Sequence, residues 1–383
     1  MKKIAIVVAA SIYNQKGLLN AVTQRIKHLK TKANYDIDSF VISVYKPWYI
    51  RLLTKEKALP KPEYAEIDGV RYRVIWLRNT LFDFVCLHKL KIGTPFRMLQ
   101  FKKFIKLFEK YDLVEGHSCG VYVKAIHQKY GKPYLISWHG TDTHTVPFQS
   151  KAFMKSAREI MESAAHNFFV SKELMAISDG ITKNAIKSVL YNGRDERFFK
   201  YDKEEKHTLR EKYNVGSKKI VAFVGNLLPV KGADLLPSLF RIIYDNNPST
   251  LFWIVGDGPL RKDINDNSKG LPTVLWGNVD YKKMPELMNI IDLLVVPSRN
   301  EGLSLVSIEA ISCGAKVVAS RVGGIPEVVG IDNTIPIENP DFISLFADKC
   351  VSILEETSPQ FLQSNFEWET SAKKENEIIC SIL

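Results

Sequence analysis

The sequence has no run approaching the ~18 to 20 uncharged apolar residues that a membrane-spanning helix needs, so a spanning protein is not expected. Cysteine is sparse: Cys86, Cys119, Cys313, Cys350 and Cys380 lie far apart with no CxxC spacing. Five scattered thiols build neither a disulfide framework nor a zinc finger, and they suit a reducing, cytoplasmic setting. No GxGxxG follows the first apolar run, which disfavours a dinucleotide oxidoreductase, and neither a short-period repeat nor a low-complexity tract is present. With 45% hydrophobic and 25% charged residues, 21 Gly and 17 Pro, the composition is that of a globular chain rather than a disordered or collagenous one. At ~150 residues per domain, 383 residues make two or three domains.

Charge is unevenly spread. The formal +11 resolves into +17 over residues 1–200 and −6 over the rest. Between Lys89 and Lys110, seven cations stand against the single anion Glu109, interleaved with Phe96, Phe101, Phe104 and Phe108. If 97–110 is one helix, Phe101, Phe104 and Phe108 share a stripe and Lys102, Lys103, Lys106 and Lys110 spread over the remainder. Such a segment is either a surface helix with its aromatic stripe in the core or a dock for an anionic membrane surface. An acidic second half and the lack of an RNP-like motif argue against nucleic acid as a partner. The opening Met1-Lys2-Lys3 and Ile4–Ala10 has the outline of a short signal peptide, but β-branched Ile4, Ile6, Val7 and Val8 equally describe a buried parallel strand, and that reading is preferred.

Short apolar runs alternate with helix-like stretches: 4–10, 40–44, 74–77, 113–115, 134–138 and 167–170, then 220–224, 250–255, 274–276, 293–296 and 316–319. Strands alternating with helices imply parallel sheets with right-handed crossovers. The charged stretch 194–219 separates the two series and is the natural boundary. The expected fold class is therefore α/β, with two Rossmann-like doubly wound domains facing a central cleft into which strand carboxyl ends, and ligands, point.

Chemistry concentrates in the second half. After the run 293–296 come Pro297-Ser298 and the segment Glu301-Gly302-Leu303-Ser304-Leu305-Val306-Ser307-Ile308-Glu309. A helix beginning near Leu303 places Glu301 on the preceding loop and Glu309 about two turns in. Between them the unpaired amides of the first turn and the positive dipole end favour a phosphate, while the carboxylates can accept hydroxyl hydrogen bonds. Upstream, Gly225-Asn226-Leu227-Leu228-Pro229-Val230-Lys231-Gly232 delivers Lys231 beside a helix start, where it can neutralise a diphosphate. Gly256-Asp257-Gly258-Pro259 lets backbone approach a flat ligand.

Taken in order, these segments resemble the retaining GT-B glycosyltransferases of family four, within the group 1 glycosyl transferases, over nearly the whole chain. The resemblance rests on 223–232, on Val255-Gly256-Asp257-Gly258-Pro259-Leu260, on the E-x7-E pair Glu301 and Glu309, and on Gly323-Gly324-Ile325-Pro326-Glu327. In the first half Ser137-Trp138-His139-Gly140-Thr141-Asp142 resembles the family's HGxD segment. His117-Ser118 resembles its earlier histidine, and Gly17 stands in the place of its glycine-rich first loop. The resemblance implies an acceptor-binding domain over 1–196, a nucleotide-sugar domain over 197–365, and a last helix within 366–383 that crosses back to the first domain.

It also implies roles. Glu309 would bind ribose hydroxyls and Glu301 a donor-sugar hydroxyl. Backbone at Gly302, Leu303, Ser304 and Leu305 would hold sugar and phosphates, with Gly225, Asn226, Gly256 and Gly258 around the nucleotide. Lys231 would be the leaving-group cation, His139 would lie beside the transferred sugar, and Gly17 and His117 would stand on the acceptor side. The implied reaction moves a sugar from a UDP- or GDP-linked donor to a glycan or lipid-linked acceptor with retention, in polysaccharide or glycolipid synthesis, on or near the inner face of the cell membrane. No cofactor is expected. No metal is expected either, and Asp36-Ile37-Asp38, although it spells DxD, reads as structural. One departure matters: Asn226 stands where the family usually has Arg. With the glycine-poor first loop, that leaves open a catalytically weakened partner subunit; a nucleotide-sugar epimerase, which needs no acceptor, is a separate alternative.

Overall fold

The computed structural model describes residues 1–13, 17–55, 57–362 and 366–383. These fall into two compact units, Met1–Asn192 with Trp368–Leu383, and Gly193–Glu367.

Unit 1 contains β1 (Lys3–Ala9), β2 (Asp36–Tyr45), β3 (Tyr64–Ile67), β4 (Val70–Arg78), β5 (Leu113–His117), β6 (Tyr134–Trp138), β7 (His166–Phe169) and β8 (Lys187–Val189). They form one sheet in the order β3-β4-β2-β1-β5-β6-β7-β8, with every neighbouring pair parallel except β3–β4. That exception is a hairpin whose two-residue turn, Asp68-Gly69, has φ of 45° and 78°; positive φ at both positions matches the right-handed twist of the flanking strands. The apolar 4–10 run is a buried strand, with Ile4, Ile6 and Val8 packed in the core beside Leu19, Val22 and Ile26 of the helix Leu18–Lys32.

Unit 2 contains β9 (Lys219–Val224), β10 (Thr250–Val255), β11 (Thr273–Gly277), β12 (Leu293–Val296), β13 (Lys316–Ser320) and β14 (Thr334–Ile335), in the wholly parallel order β11-β10-β9-β12-β13-β14. Its core joins Val221, Phe252, Ile254, Leu293 and Val295 of the sheet to Leu239, Phe240, Phe346 and Cys350 of two covering helices. Both units are doubly wound α/β layers, as the alternating pattern requires.

The basic segment departs from the expected single helix. An α-helix over Pro95–Phe101 tightens into a 3-10 helix over Lys102–Phe108. The residues that reach the core are Phe101, Ile105 and Phe108, with Phe104 only half-buried. Phe101 packs on Tyr122 and Phe108 on Phe40, with ring centroids 4.7 and 4.8 Å apart. This aromatic stripe is core, and Lys102, Lys103, Lys106 and Lys110 are exposed around it. Among the described residues no helix is long and apolar enough to cross a membrane.

The carboxy-terminal helix Trp368–Ile382 packs against the helix Leu18–Lys32 and belongs to unit 1. A buried polar knot joins it to the sheet. Arg25 donates to Ser137 Oγ (2.8 Å), the Leu190 carbonyl (3.4 Å) and Asn192 Oδ1 (3.4 Å), and lies 3.7 Å from Glu375 Oε2. Ser137 Oγ in turn donates to Glu115 at 3.1 Å. Burial pushes both carboxyls above the ordinary range, Glu375 well above it, and Arg25 opposes this. Removing one member of such a knot strands the others. Arg25→Ala is expected to lower unfolding stability by about 3–5 kcal/mol. Glu375→Gln keeps the shape without the charge. Because a raised folded pKa gives stability that is lost as pH rises above the unfolded value, this variant should gain on the parent between mildly acid and neutral pH. Denaturant titrations at several pH values check both.

Candidate active site

In an open parallel sheet, ligands bind beyond the strand carboxyl ends where the winding direction reverses. In unit 2 that point lies between β9 and β12, from which the chain leaves along loops 225–232 and 297–304. These loops are laced together. Arg299 N donates to the Val230 carbonyl at 2.8 Å, and the Arg299 guanidinium grips Asp234 through two bonds of 2.7 and 2.8 Å. On the other side Leu227 N donates to the Asp257 carbonyl at 3.0 Å and Gly225 N to the Val255 carbonyl at 2.9 Å.

Glycine lets the loops approach this closely. A Cβ on Gly232 would lie 1.9 Å from the Pro297 carbonyl oxygen, and one on Gly323 1.7 Å from that of Glu301, with φ of 69° and 55°. Gly256 and Gly258 were expected to open backbone to a flat ligand. In the structure they abut the carbonyls of Gly225 and Leu227, where an added Cβ would lie at 1.9 and 2.6 Å. Their contact is loop on loop. Gly225 and Asn226 are half-buried on the turn that leaves β9.

The helix after β12 runs over Leu305–Ser312, two residues later than expected, because Ser304 caps it. Ser304 Oγ accepts from Ser307 N (3.4 Å) and is 2.7 Å from Ser307 Oγ, while the Ser304 carbonyl accepts from Ile308 N (3.2 Å). By the geometry of a first turn, the amides of Leu305 and Val306 have no partner within the helix. Gly302, Leu303 and Ser304 are buried beneath that end, and the Gly302 carbonyl accepts from Gly324 N at 3.1 Å.

The two glutamates are placed differently. Glu301 Oε1 accepts from Lys231 Nζ at 2.5 Å and from Ser298 Oγ at 3.3 Å, so the loop carboxylate and the loop cation form one pair. Glu309 keeps some solvent access, yet desolvation pushes its carboxyl up to about 7. The Tyr281 hydroxyl, donating at 2.8 Å, and Arg197 pull the other way. Tyr281 is itself wedged by Phe198 and Arg197, at 5.5 and 4.9 Å from its ring centroid.

In unit 1 the winding reverses between β1 and β5. Gly17, exposed with φ of 52°, opens the helix Leu18–Lys32 there, although Asn14, Gln15 and Lys16 of the expected first loop lie outside the described residues. His117 ends β5 and His139 follows β6, with His117 Nδ1 3.1 Å from His139 Nε2. Asp142 fixes the turn, its carboxylate accepting from the backbone N–H of His139 (3.1 Å) and Gly140 (2.9 Å) and from Ser118 Oγ (3.1 Å). Burial lowers His139 to about 3, assisted by Arg25, and holds His117 well below its ordinary value. Both rings are therefore neutral at physiological pH. Asp38 of the DxD accepts from Tyr111 (2.5 Å) and Lys110 (3.4 Å), structural contacts within unit 1.

Residues 218–356 match the family model described as glycosyl transferases group 1. Similar curated proteins include an uncharacterized glycosyltransferase of Methanocaldococcus jannaschii, 29% identical over 58% of this chain and 59% of that protein. A GDP-mannose-dependent alpha-(1-6)-phosphatidylinositol monomannoside mannosyltransferase of Mycolicibacterium smegmatis is 31% identical over 36% of this chain and 39% of its own. The family match lies within the second unit, Gly193–Glu367. These alignments span little more than half, or less, of the relatives' length. Across whole chains, sucrose-phosphate synthase of Thermosynechococcus elongatus superposes with a TM-score of 0.73 at 18% identity, covering 100% of this chain and 99% of that one. Anabaena HepE in complex with UDP gives 0.70 at 18% identity over 100% of both. The fold is GT-B.

Tyr281 and Asp142 bond to the motif residues without having been singled out for the site. Tyr281 stands in no motif, 28 positions from Glu309, whereas Asp142 closes the HGxD segment and was legible there. Where binding uses the Glu309 carboxylate, affinity for a nucleotide sugar should rise with pH through about 7. Tyr281→Phe removes a bond that favours the ionised form, so the midpoint should move upward. Calorimetric titration across this range is a direct check, since the diphosphate diester does not titrate there.

Proposed function

We propose that the protein transfers a sugar from a nucleoside diphosphate to a glycan or lipid-linked acceptor with retention of anomeric configuration. The observation that carries this reading is the amino end of the helix Leu305–Ser312, capped by Ser304 at the sheet's switch point, with the Lys231–Glu301 pair on the loops before it and Glu309 within it. First-turn amides and Lys231 suit a diphosphate. An ammonium has three donors and Glu301 engages one, so two remain for phosphate oxygens. Glu301 and Glu309 then accept hydroxyls of the sugar and the ribose. HepE, of the same fold, has been seen with UDP and with UDP-glucose, which supports a nucleotide-sugar donor here.

As the sugar–phosphate bond breaks, negative charge grows on the departing β-phosphate. Fixed amides and a cation aimed at that charge need no reorganisation during reaction. The acceptor hydroxyl forms the new glycosidic bond on the face the phosphate vacates, and its proton passes to the departing phosphate oxygen. No protein base is needed. In this reading His139, held neutral by burial, serves the sugar as a hydrogen-bonding imidazole rather than as a charged acid.

Glu309→Ala should weaken nucleotide-sugar binding by about tenfold or more, the loss of a charge-assisted hydrogen bond. His139→Ala should leave binding intact and lower turnover. Unchanged turnover in both variants sinks the assignment. Donor hydrolysis by purified protein distinguishes an enzyme from a weakened partner subunit, and conversion of donor alone would indicate an epimerase.

We also propose peripheral docking on an anionic membrane, through a different surface from the aromatic stripe. The helix Leu81–His88 exposes Leu81, Phe82 (61%), Phe84 and Val85, and the chain then exposes Leu90, Ile92 and Leu99 beside Lys89, Lys91, Lys102 and Lys103. Apolar side chains in a basic setting suit an anionic interface. Sedimentation with phosphatidylglycerol vesicles should be lost in a Phe82→Ser, Phe84→Ser variant and weakened by charge reversal at Lys102, Lys103 and Lys106. Equal sedimentation of all three proteins removes the proposal.

A further inference from the structure

Unit 1 holds a second concavity, of about 480 Å³, beyond the carboxyl ends of the adjacent parallel strands β1, β2 and β4. Its size falls within the ~300–1,000 Å³ of small-ligand sites. The lining has two parts. Aromatic rings form one: Tyr13, Tyr45, Trp48, Tyr49 and Trp76. Cations form the other: Lys46, Arg51, Lys57, Lys61 and Arg78, and no acidic residue is among the described lining residues.

The wall is built rather than accidental. Tyr13 and Trp76 stack at 6.2 Å with an interplanar angle of 28°. Each ring straps the 57–62 segment to the sheet, the Tyr13 hydroxyl donating to the Pro60 carbonyl and Trp76 Nε1 to the Pro62 carbonyl at 2.9 Å. Two of the cations have neutral partners. Lys61 Nζ sits 4.0 Å from the Tyr45 ring centroid, and Arg78 Nε donates to the Tyr45 hydroxyl at 3.3 Å. Trp48, 70% exposed, stands edge-on to Tyr49 at 5.9 Å, presenting a large ring at the pocket wall.

We propose that this pocket is the acceptor site and that the acceptor is an anionic sugar, a glycan ring bearing a phosphate or a carboxylate. The proposal rests on the transferase reading and adds the acceptor's chemistry. Aromatic faces supply flat apolar surface for the C–H face of a sugar ring, and the polar edges of Tyr13, Tyr45 and Trp76 are bonded to the protein. Several cations with no carboxylate of the described lining among them create a positive field in a concave, partly apolar wall, which concentrates anions. A neutral sugar would use the rings and leave the cations idle; a bare anion would use the cations and leave the rings idle. Only an anionic sugar uses both halves of the lining.

The test measures binding to the full chain with UDP present in excess, so that sugar phosphates cannot report on the nucleotide site. The probes are glucose 1-phosphate, glucuronate, methyl glucoside and inorganic phosphate, followed by saturation-transfer NMR and calorimetry. Glucose 1-phosphate, glucuronate or both should bind at least about tenfold more tightly than methyl glucoside and inorganic phosphate, and should weaken with salt. Whichever binds identifies the anionic group. Lys61→Ala combined with Arg78→Ala should remove that preference, and Trp48→Ala should weaken the anionic sugars more than inorganic phosphate. All three side chains are at the surface, and thermal melts monitor folding. Repeating the titration in Glu309→Ala separates the two readings: pocket binding that survives there stands independently of the nucleotide site. The proposal is overturned if neither anionic sugar binds at millimolar concentration, if methyl glucoside or inorganic phosphate binds as well, or if the Lys61, Arg78 double variant binds like the parent.

Discussion

The candidate-site residues of the second unit owe their positions to backbone packed directly on backbone at the carboxyl edge of its sheet. Gly232 under Pro297 and Gly323 under Glu301 leave no room for even a methyl group. This contact fixes the height at which loop 297–304 leaves β12. The Arg299–Asp234 fork and the bond from Arg299 N to Val230 then hold the neighbouring loop to it. Lys231 and Glu301 meet because these loops cannot separate, and their 2.5 Å contact is a consequence of the packing rather than its cause. A partly exposed ion pair contributes little stability by itself; its value is in aiming a cation and a carboxylate at one small volume.

Desolvation is the largest influence on both Glu309 and His139, with opposite outcomes for the acid and the base. It raises Glu309 to about 7 and depresses His139 to about 3. The same physical effect therefore leaves one group poised near neutrality and the other uncharged throughout the physiological range. Neighbouring groups oppose the shift at one residue and add to it at the other. Tyr281 and Arg197 restrain the rise at Glu309, whereas Arg25 deepens the fall at His139. Arg25 thus links fold and site within unit 1, since it also ties Ser137, Asn192 and Glu375 together. A group that stabilises the docking of the last helix also keeps the histidine neutral.

What could be read from the chain follows the range of each interaction. Buried parallel strands declare themselves as β-branched runs, and Tyr134–Trp138, Thr250–Val255 and Leu293–Val296 were placed to the residue. Two- and three-residue edge strands such as β14 and β8 carry too few side chains for a period to emerge. The β3 hairpin was missed although Asp68-Gly69 is a recognisable turn pair. Around 97–110 the assumed 3.6-residue period misjudged which side chain goes inward, because the chain tightens to a 3-10 helix and buries Ile105 rather than Phe104. Ser304, read only as a backbone contributor, delays the helix by capping it. Pairings across strands were out of reach. His117 and His139 come together only because β5 and β6 pair with His117 opposite Ser137, a register no local pattern encodes.

The charge split along the chain acquires meaning once residues are assigned to units. The excess of cations in the first half is not spread as a uniform solvated coat. Part of it follows the exposed Phe82 and Phe84 in sequence, and part lines the aromatic pocket at the ends of β1, β2 and β4. In the proposed donor site of the acidic second half, by contrast, positive potential would come from backbone amides and from Lys231, held by Glu301. A polyanionic diphosphate in such a setting would be held by fixed dipoles, whose cost of orientation was met during folding. A broad cationic field is a different device, because it attracts charged molecules over a Debye length and is weakened by salt. On the proposed readings the two halves would recognise anions by different physics, short-range and geometric in one, long-range and adaptable in the other. That difference suits a donor whose phosphates are always the same and an acceptor or surface that must first be found.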